Sequence, residues 1–233
     1  MKIKYSVVLV ITFAVFTARA QKRTETLQIE LPEQKIPGCL YSSVKLIDKR
    51  IDTTTYGIIQ QGAFNRKVKV ITEVPLDQQL TAVVNALIDN TAKNGELVLL
   101  LRQFSLAETT GALSEKGYCY LRVILFGSVN GLYQKLATVD TVITIGGLDV
   151  TKALLRQGST VMTGLLTSAI TKAPAEAVSY TFDNLVAMDS IEKSVLPVYN
   201  TTVFKTGAYK TFSSFASQQP EDEDLLMEFW KKR

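Results

Sequence analysis

The chain contains no histidine. That absence removes Ser-His-Asp and Cys-His nucleophilic catalysis, and with them histidine-ligated zinc and haem. Cysteine is scarce, with only Cys39 and Cys119 present. Two distant thiols cannot build a four-thiolate metal site. In an oxidising compartment they could pair, and in an apolar strand each could equally stay a free buried thiol. A phosphate-binding loop is also missing, because Gly146-Gly147 has neither the spacing nor the lysine of a P-loop. No motif implies a cofactor or a metal. Hydrophobic runs of membrane length are absent too: the longest, Tyr5 to Phe16, is about a dozen residues, against the ~20 a spanning helix needs.

That short run is itself informative. Lys2 and Lys4 precede it, and Ala18-Arg19-Ala20 follows it with small residues where signal peptidase reads. The pattern is that of a cleaved export signal over residues 1–20. No cysteine lies near the cleavage point, so the usual lipoprotein signal is missing. The expected product is exported, to the periplasm, the cell envelope or the extracellular space, with no transmembrane helix after cleavage.

Cleavage changes the electrostatics. Lys2, Lys4 and Arg19 leave and no acid does, so a formal charge of +4 falls to +1. Nucleic-acid binding needs a clustered positive surface, and none is implied. The nearest cluster, Arg66-Lys67-Val68-Lys69, sits in a turn leading into a strand and reads as a solvated edge, where lysine also discourages edge-to-edge pairing.

Residues 21–43 read as a polar leader with Pro32 and Pro37, and the folded region as starting at Val44. The segment Val44 to Asp52 reads as a strand, Tyr56 to Ile59 as its return, and Val68 to Val74 as a third strand before Pro75. Leu80, Val83, Val84, Leu87 and Ile88 recur at helical spacing over 76–92. Leu97 to Leu101 is a continuous apolar run suited to a strand buried on both faces. In the next strand Cys119, Leu121, Val123 and Leu125 share one face. Asn130-Gly131 signals a two-residue hairpin into a strand over Leu132 to Ile145. Asp149 then starts a helix that fades near Lys172, with Gly158 and Gly164 expected to pack closely on a sheet. The order is three strands, helix, three strands, helix. It predicts an α+β fold over 44–175: a mostly antiparallel sheet with helices packed on one face. Residues 176–219 read as a C-terminal extension docking on that domain through Ile191 to Val198, and 220–233 as an acidic tail. Asn200-Thr201-Thr202 fits a glycosylation sequon, which matters only in a eukaryotic secretory pathway.

Chemistry has few places to reside. Asp48, Arg50 and Asp52 alternate by two and share a face if the strand continues. They could be an acid/base pair or a cation site, or simply strand-end charges; carboxylates sharing an arginine make poor general acids. Ser114 with Lys116 lies in a loop-like Ser-Glu-Lys-Gly stretch. Tyr199, Phe204, Tyr209, Phe212 and Phe215 cluster late, as a recognition surface or as burial of the extension.

Two stretches carry a resemblance. Val44-Lys-Leu-Ile-Asp48-Lys-Arg50, running to Gly57, resembles the Asp-x-Arg opening strand of YajG-type bacterial envelope lipoproteins, although the lipobox is absent here. Gly207-Ala-Tyr209-Lys-Thr211-Phe212-Ser-Ser-Phe215 is similar to a signature of secreted Bacteroidota proteins, in which the chain often continues further. Neither family brings an activity. The expectation is a non-enzymatic envelope protein of interaction or assembly, with Asp48, Arg50, Asp52, Tyr209, Phe212 and Phe215 as candidate contacts to an envelope protein or surface component. The alternatives are a carboxylate-based hydrolase, which requires two acids converging in a pocket, and a small-ligand or lipid binder, which requires an apolar cavity between helices and sheet.

Overall fold

A computed structural model describes residues 24–61, 64–111, 114–129, 131–175 and 178–221. The expected export signal and most of the acidic tail lie outside these residues. The elements are β1 (Thr24–Thr26), β2 (Tyr41–Asp48), β3 (Gly57–Gln61), β4 (Arg66–Ile71), α1 (Leu76–Leu87), β5 (Gly95–Thr110), β6 (Glu115–Val129) and β7 (Leu132–Gly147). They continue with α2 (Thr151–Ala169), β8 (Ser179–Tyr180), α3 (Phe182–Val186), α4 (Met188–Ser194), α5 (Pro197–Asn200) and α6 (Phe212–Ala216).

The fold is α+β. One 8-stranded sheet runs β1-β4-β3-β5-β6-β7-β8, with β2 also on β5. It is mixed and not mostly antiparallel. The long β5, β6 and β7 meander antiparallel, whereas β2 and β3 both run parallel to β5, and β1 runs parallel to β4. The helix α1 supplies the reason: it carries the chain back across the sheet, so β5 begins at the end where β2 began.

β5 organises everything else. On one side it pairs with β6 along its length. On the other, Gly95–Leu101 holds β2, and Leu106–Ala107 holds β3. The sheet therefore forks between the end of β2 and the start of β3. A bulge at the fork, with Arg102 unpaired between Leu101↔Val123 and Gln103↔Arg122, shifts the side-chain phase by one. Leu97, Leu99 and Leu101 face the helices before it; Phe104 and Leu106 face them after it.

That helix face holds the main core. Leu80, Val83, Val84 and Leu87 of α1 are all nearly fully buried, as their spacing predicts, and Leu76 joins them. The helix stops short of residue 92 because Ile88 turns extended and bridges to Ile36. From α2, Leu154, Met162, Leu166 and Ala169 complete the layer. Gly158 packs closely: a Cβ there would touch Leu27 and Leu106 side chains at 3.4 Å. Gly164 does not, having open space where its Cβ would be.

The fold extends further toward the N-terminus than the expected start at Val44. β1 pairs with β4, and Leu27, Ile29, Cys39 and Tyr41 join the core. The Tyr41 ring lies against Gly95 and Gly127, where any Cβ would collide with it. Both cysteines are buried and free. Burial pushes the Cys119 thiol up to about 11 and raises Cys39 as well, so both are inert at neutral pH. The hairpin forms in the predicted register, Val129 opposite Leu132 with Gly131 at φ +84°.

The back face has a smaller core. Val98, Leu100, Ile124, Phe126 and Tyr133 pack against Leu185 and Met188 of α3 and α4. These two residues anchor the extension, rather than Ile191 to Val198, of which Val195 is 75% exposed. α3 and α4 cover only the β2/β8 end of this face.

Candidate functional site

The fork gathers the charged residues singled out by the sequence. β2 ends at Asp48, so the strand does not run on through Arg50 to Asp52, and the three do not share a strand face. Lys49 makes the last sheet-like contact, its N–H donating to the Leu101 carbonyl at 2.8 Å. Arg50 then folds back. Its Nε donates to Asp48 Oδ1 at 3.0 Å and its Nη2 to Asp48 Oδ2 at 2.8 Å, a forked, charge-assisted pair. Nη1 donates to the Thr55 carbonyl at 2.8 Å, Nη2 also reaches the Thr53 carbonyl at 3.3 Å, and the guanidinium carbon sits 4.1 Å from the Tyr56 ring centre. The arginine side chain is 4% exposed. It plugs the fork and ties the 49–56 loop into one piece.

Asp52 looks elsewhere. Its carboxylate accepts from the Thr54 hydroxyl and N–H at 2.6 and 2.8 Å, and from the Thr55 hydroxyl at 2.7 Å. This is an Asx turn. The Thr54 and Thr55 hydroxyls, with help from the backbone, hold its carboxyl well below the usual range. The next strand starts at Gly57, with φ +107°, and a Cβ there would collide with the Leu106 backbone. Only glycine lets β3 join β5 beyond the plug.

Asp48 and Asp52 therefore open onto different hollows. Asp48 borders one of about 370 Å³ with Tyr56, Thr72, Leu76 and Asp77. Asp52 borders one of about 340 Å³ with Gln103, Arg102 and Arg122. The arginines around the second hollow have their own anions: Arg102 meets Asp189 at 2.9 Å and Glu192 at 2.6 Å, and Arg122 meets Asp140 at 2.9 Å. The two acids do not converge, and the cations beside them are already neutralised. Ser114 is exposed in the β5–β6 turn, Lys116 lies in β6 opposite Gly146, and no hydrogen bond joins their side chains.

Burial does raise one carboxyl, that of Glu108 on β5. It is 6% exposed. Its Oε2 accepts from Gln60 N–H at 2.9 Å and from the Thr151 hydroxyl at 3.3 Å, while Oε1 has no partner. Glu115 and Asp149 add weaker repulsion. Glu115 accepts from Val150 N–H at 3.2 Å and Asp149 from Thr151 N–H at 3.1 Å. These acids satisfy the open N–H groups at the start of α2 and complement its dipole. Counting by two from Leu101 places Glu108 on the back face; the bulge turns it inward. No sequence signal short of the bulge could have found it. Among the described residues, no cluster of three or more metal-ligating side chains forms.

Four of the five late aromatics come together, while Tyr199 lies beside Lys193, with its ring centre 5.6 Å from the ammonium. Phe215 is the hub, with Tyr209 at 5.3 Å edge-on, Phe204 stacked at 6.4 Å and Phe212 at 6.5 Å. Phe212 remains 69% exposed, so the cluster is a surface feature and does not bury the extension on the domain. α6, which carries Phe212 and Phe215, is held by a capping box between Thr211 and Ser214.

Between helices and sheet pack the core side chains described above. The apolar hollow of about 340 Å³ lies at the rim, between Leu27–Leu31 and α1 residues Gln78, Gln79 and Ala82. No described helix is long and apolar enough to cross a membrane.

No family model matches the chain, and no curated protein matches it. Two solved structures of uncharacterised proteins are similar to it. One shares 10% identity and a TM-score of 0.35, over 65% of this chain and 97% of its own. The other is a Xanthomonas campestris protein of the family DUF330, with 10% identity and a TM-score of 0.37, over 73% of this chain and 99% of its own. Likeness at this level transfers no role to individual residues.

Proposed function

We propose that this is an exported protein of the periplasm or cell envelope that acts by binding another envelope component, and not by catalysis. The observation that carries the reading is the bare part of the sheet's back face. α3 and α4 cover one end of that face. At the other end Tyr118 and Tyr120 stack on each other at 6.2 Å, with Ile58 and Val142 about half exposed on neighbouring strands. An aromatic and aliphatic patch on a sheet face, rimmed by Lys67, Lys69 and the Arg122–Asp140 pair, has the chemical character of a protein-docking surface. The N-terminal export pattern and the resemblance of the Val44 to Arg50 segment to YajG-type envelope proteins support the location. The absence of histidine and the closed pairing of Arg50, Arg102 and Arg122 support binding over turnover.

The test is crosslinking and affinity capture from envelope extracts. Wild type should retain a specific protein or surface component, and Tyr118→Asp with Tyr120→Asp should lose it while keeping its circular dichroism. Equal capture by both, or none by either, overturns the reading. The mass of the natural product tests export separately: it should lack residues 1–20.

A further inference from the structure

We propose that the outer edge of β7 is an interface between two copies of this chain, joined antiparallel across a two-fold axis. β8 covers β7 only at Tyr133 and Gln134. The Lys172 ammonium donates to the Leu136 carbonyl at 2.6 Å and closes the covered part. From Ala137 to Gly147 no described strand but β6 pairs with β7. This leaves a row of backbone donors and acceptors along roughly 37 Å of strand, at ~3.4 Å per residue.

Edges left open in monomers are usually interrupted by lysine, proline or a bulge. This one has none of these between Ala137 and Gly147: it reads Ala-Thr-Val-Asp-Thr-Val-Ile-Thr-Ile-Gly-Gly. Its one charge, Asp140, is neutralised by Arg122 of the adjacent strand at 2.9 Å. On the helix face, Val139, Ile143 and Ile145 are only partly buried against the core, as residues are that lack the next strand.

Self-pairing is favoured over another occupant by charge and by shape. An antiparallel edge is its own complement under a two-fold rotation, so one patch serves both copies. The same rotation brings the two α2 helices side by side above the joined sheet. α2 has no charged side chain from Gln157 to Ala169. Its flank turned away from Glu30, which Ser159 and Thr163 hold on the other side, carries Gln157, Val161, Gly164 and Ser168. Open space at Gly164 leaves room for a neighbouring helix. Two copies thus meet without like charges at either layer. A strip ~37 Å long and one sheet plus one helix deep buries on the order of 700 Å² per copy, close to the ~800 Å² of a stable interface.

The inference is independent of the envelope reading, because its test needs no partner. Sedimentation of the purified chain over a micromolar concentration series should give twice the chain mass. Val142 projects from the back face of β7, and with the two-fold axis at the middle of the Ala137–Gly147 strip it lies opposite its own copy. The variant Val142→Lys should raise the dimer Kd at least tenfold without changing circular dichroism or Tm. Val142→Glu should do the same. An equimolar mixture of the two variants should recover the dimer mass. A monomeric wild type, a dimer indifferent to these substitutions, or a mixture that stays monomeric overturns the proposal.

Discussion

The two faces of the sheet differ in how far they are finished. On the helix face, α1, α2 and the chain from Leu27 to Tyr41 enclose a continuous core with members from six of the strands and both long helices. On the back face a small cluster around Phe126 and Leu185 is covered, and the region of Tyr118, Tyr120 and Val142 is left open. The difference teaches where stability and recognition reside in this molecule. The first face defines the domain; the second has surface to give to something else.

Substitutions can break this contrast or sharpen it. The largest effect is expected from Arg50→Ala, which leaves Asp48 without its forked partner and Tyr56 without the cation over its ring. Removing one member of a buried pair costs about 3–5 kcal/mol, and urea unfolding should show a loss of that order with the whole chain affected. Arg50→Lys should recover only part of it, because an ammonium cannot reproduce the fork.

Leu99→Ala and Leu185→Ala set the two faces side by side. The first opens a cavity in the helix-face core and should cost about 2–5 kcal/mol of global stability. The second should act locally. Hydrogen exchange should speed up across 182–200 while β5 to β7 keep their protection. If Leu185→Ala destabilises β6 as much as α3, the faces are one cooperative unit and the contrast fails.

Glu108 is the flaw in the finished face. Its folded pKa is raised by burial above the ordinary value of 4.5, so the folded state binds that proton more tightly than the unfolded state. Its contribution to stability is present at low pH and is lost as pH rises through the folded value. Glu108→Gln keeps acceptors for Gln60 and Thr151. Its Tm should match wild type near pH 4 and exceed it increasingly toward neutral pH. The smallest effect is expected from Asp52→Asn, at an exposed turn. The carboxyl there is held below its ordinary value of 3.8 by hydrogen bonds, so its contribution is present above that pH and fades as pH falls. The variant should lose a little Tm at pH 7, and the gap should narrow in acid.

Much of the helix face was legible because its signals are periodic and local. The α1 stripe, the Leu97–Leu101 strand, the Cys119–Leu125 face and the Gly131 hairpin all fall in runs of regular spacing. The start of the fold was not legible: the alternating Leu27-Gln28-Ile29-Glu30-Leu31 stretch sits in a polar leader, and its burial depends on distant parts of the chain, Leu27 beside Gly158 and Ile29 held by Gln79. The parallel pairing of β2 and β3 with β5 was not legible either, since it depends on where α1 returns the chain. At the fork, residue types were read correctly as charged neighbours, yet their geometry was not. Alternation by two assumes a strand, and the strand stops at Asp48. The aromatic residues Tyr209, Phe212 and Phe215 do meet, because they are close in sequence and a capping box at Thr211 turns the chain there.

The bulge at Arg102 has a further consequence, in the grammar of insertions and deletions. Because it resets which parity of residue points inward, the two halves of β5 are written in different frames. Deleting one residue at 102 or 103 would restore a single frame. Phe104, Leu106 and Glu108 would keep facing inward, because the residue removed is the extra one that β6 does not match. A one-residue deletion at the bulge is therefore absorbed, whereas the same deletion elsewhere in β5, with the bulge kept, would turn everything between it and the strand end to the other face. Chains that share this architecture can diverge freely in side chains and still be bound to the same length of strand on either side of that point.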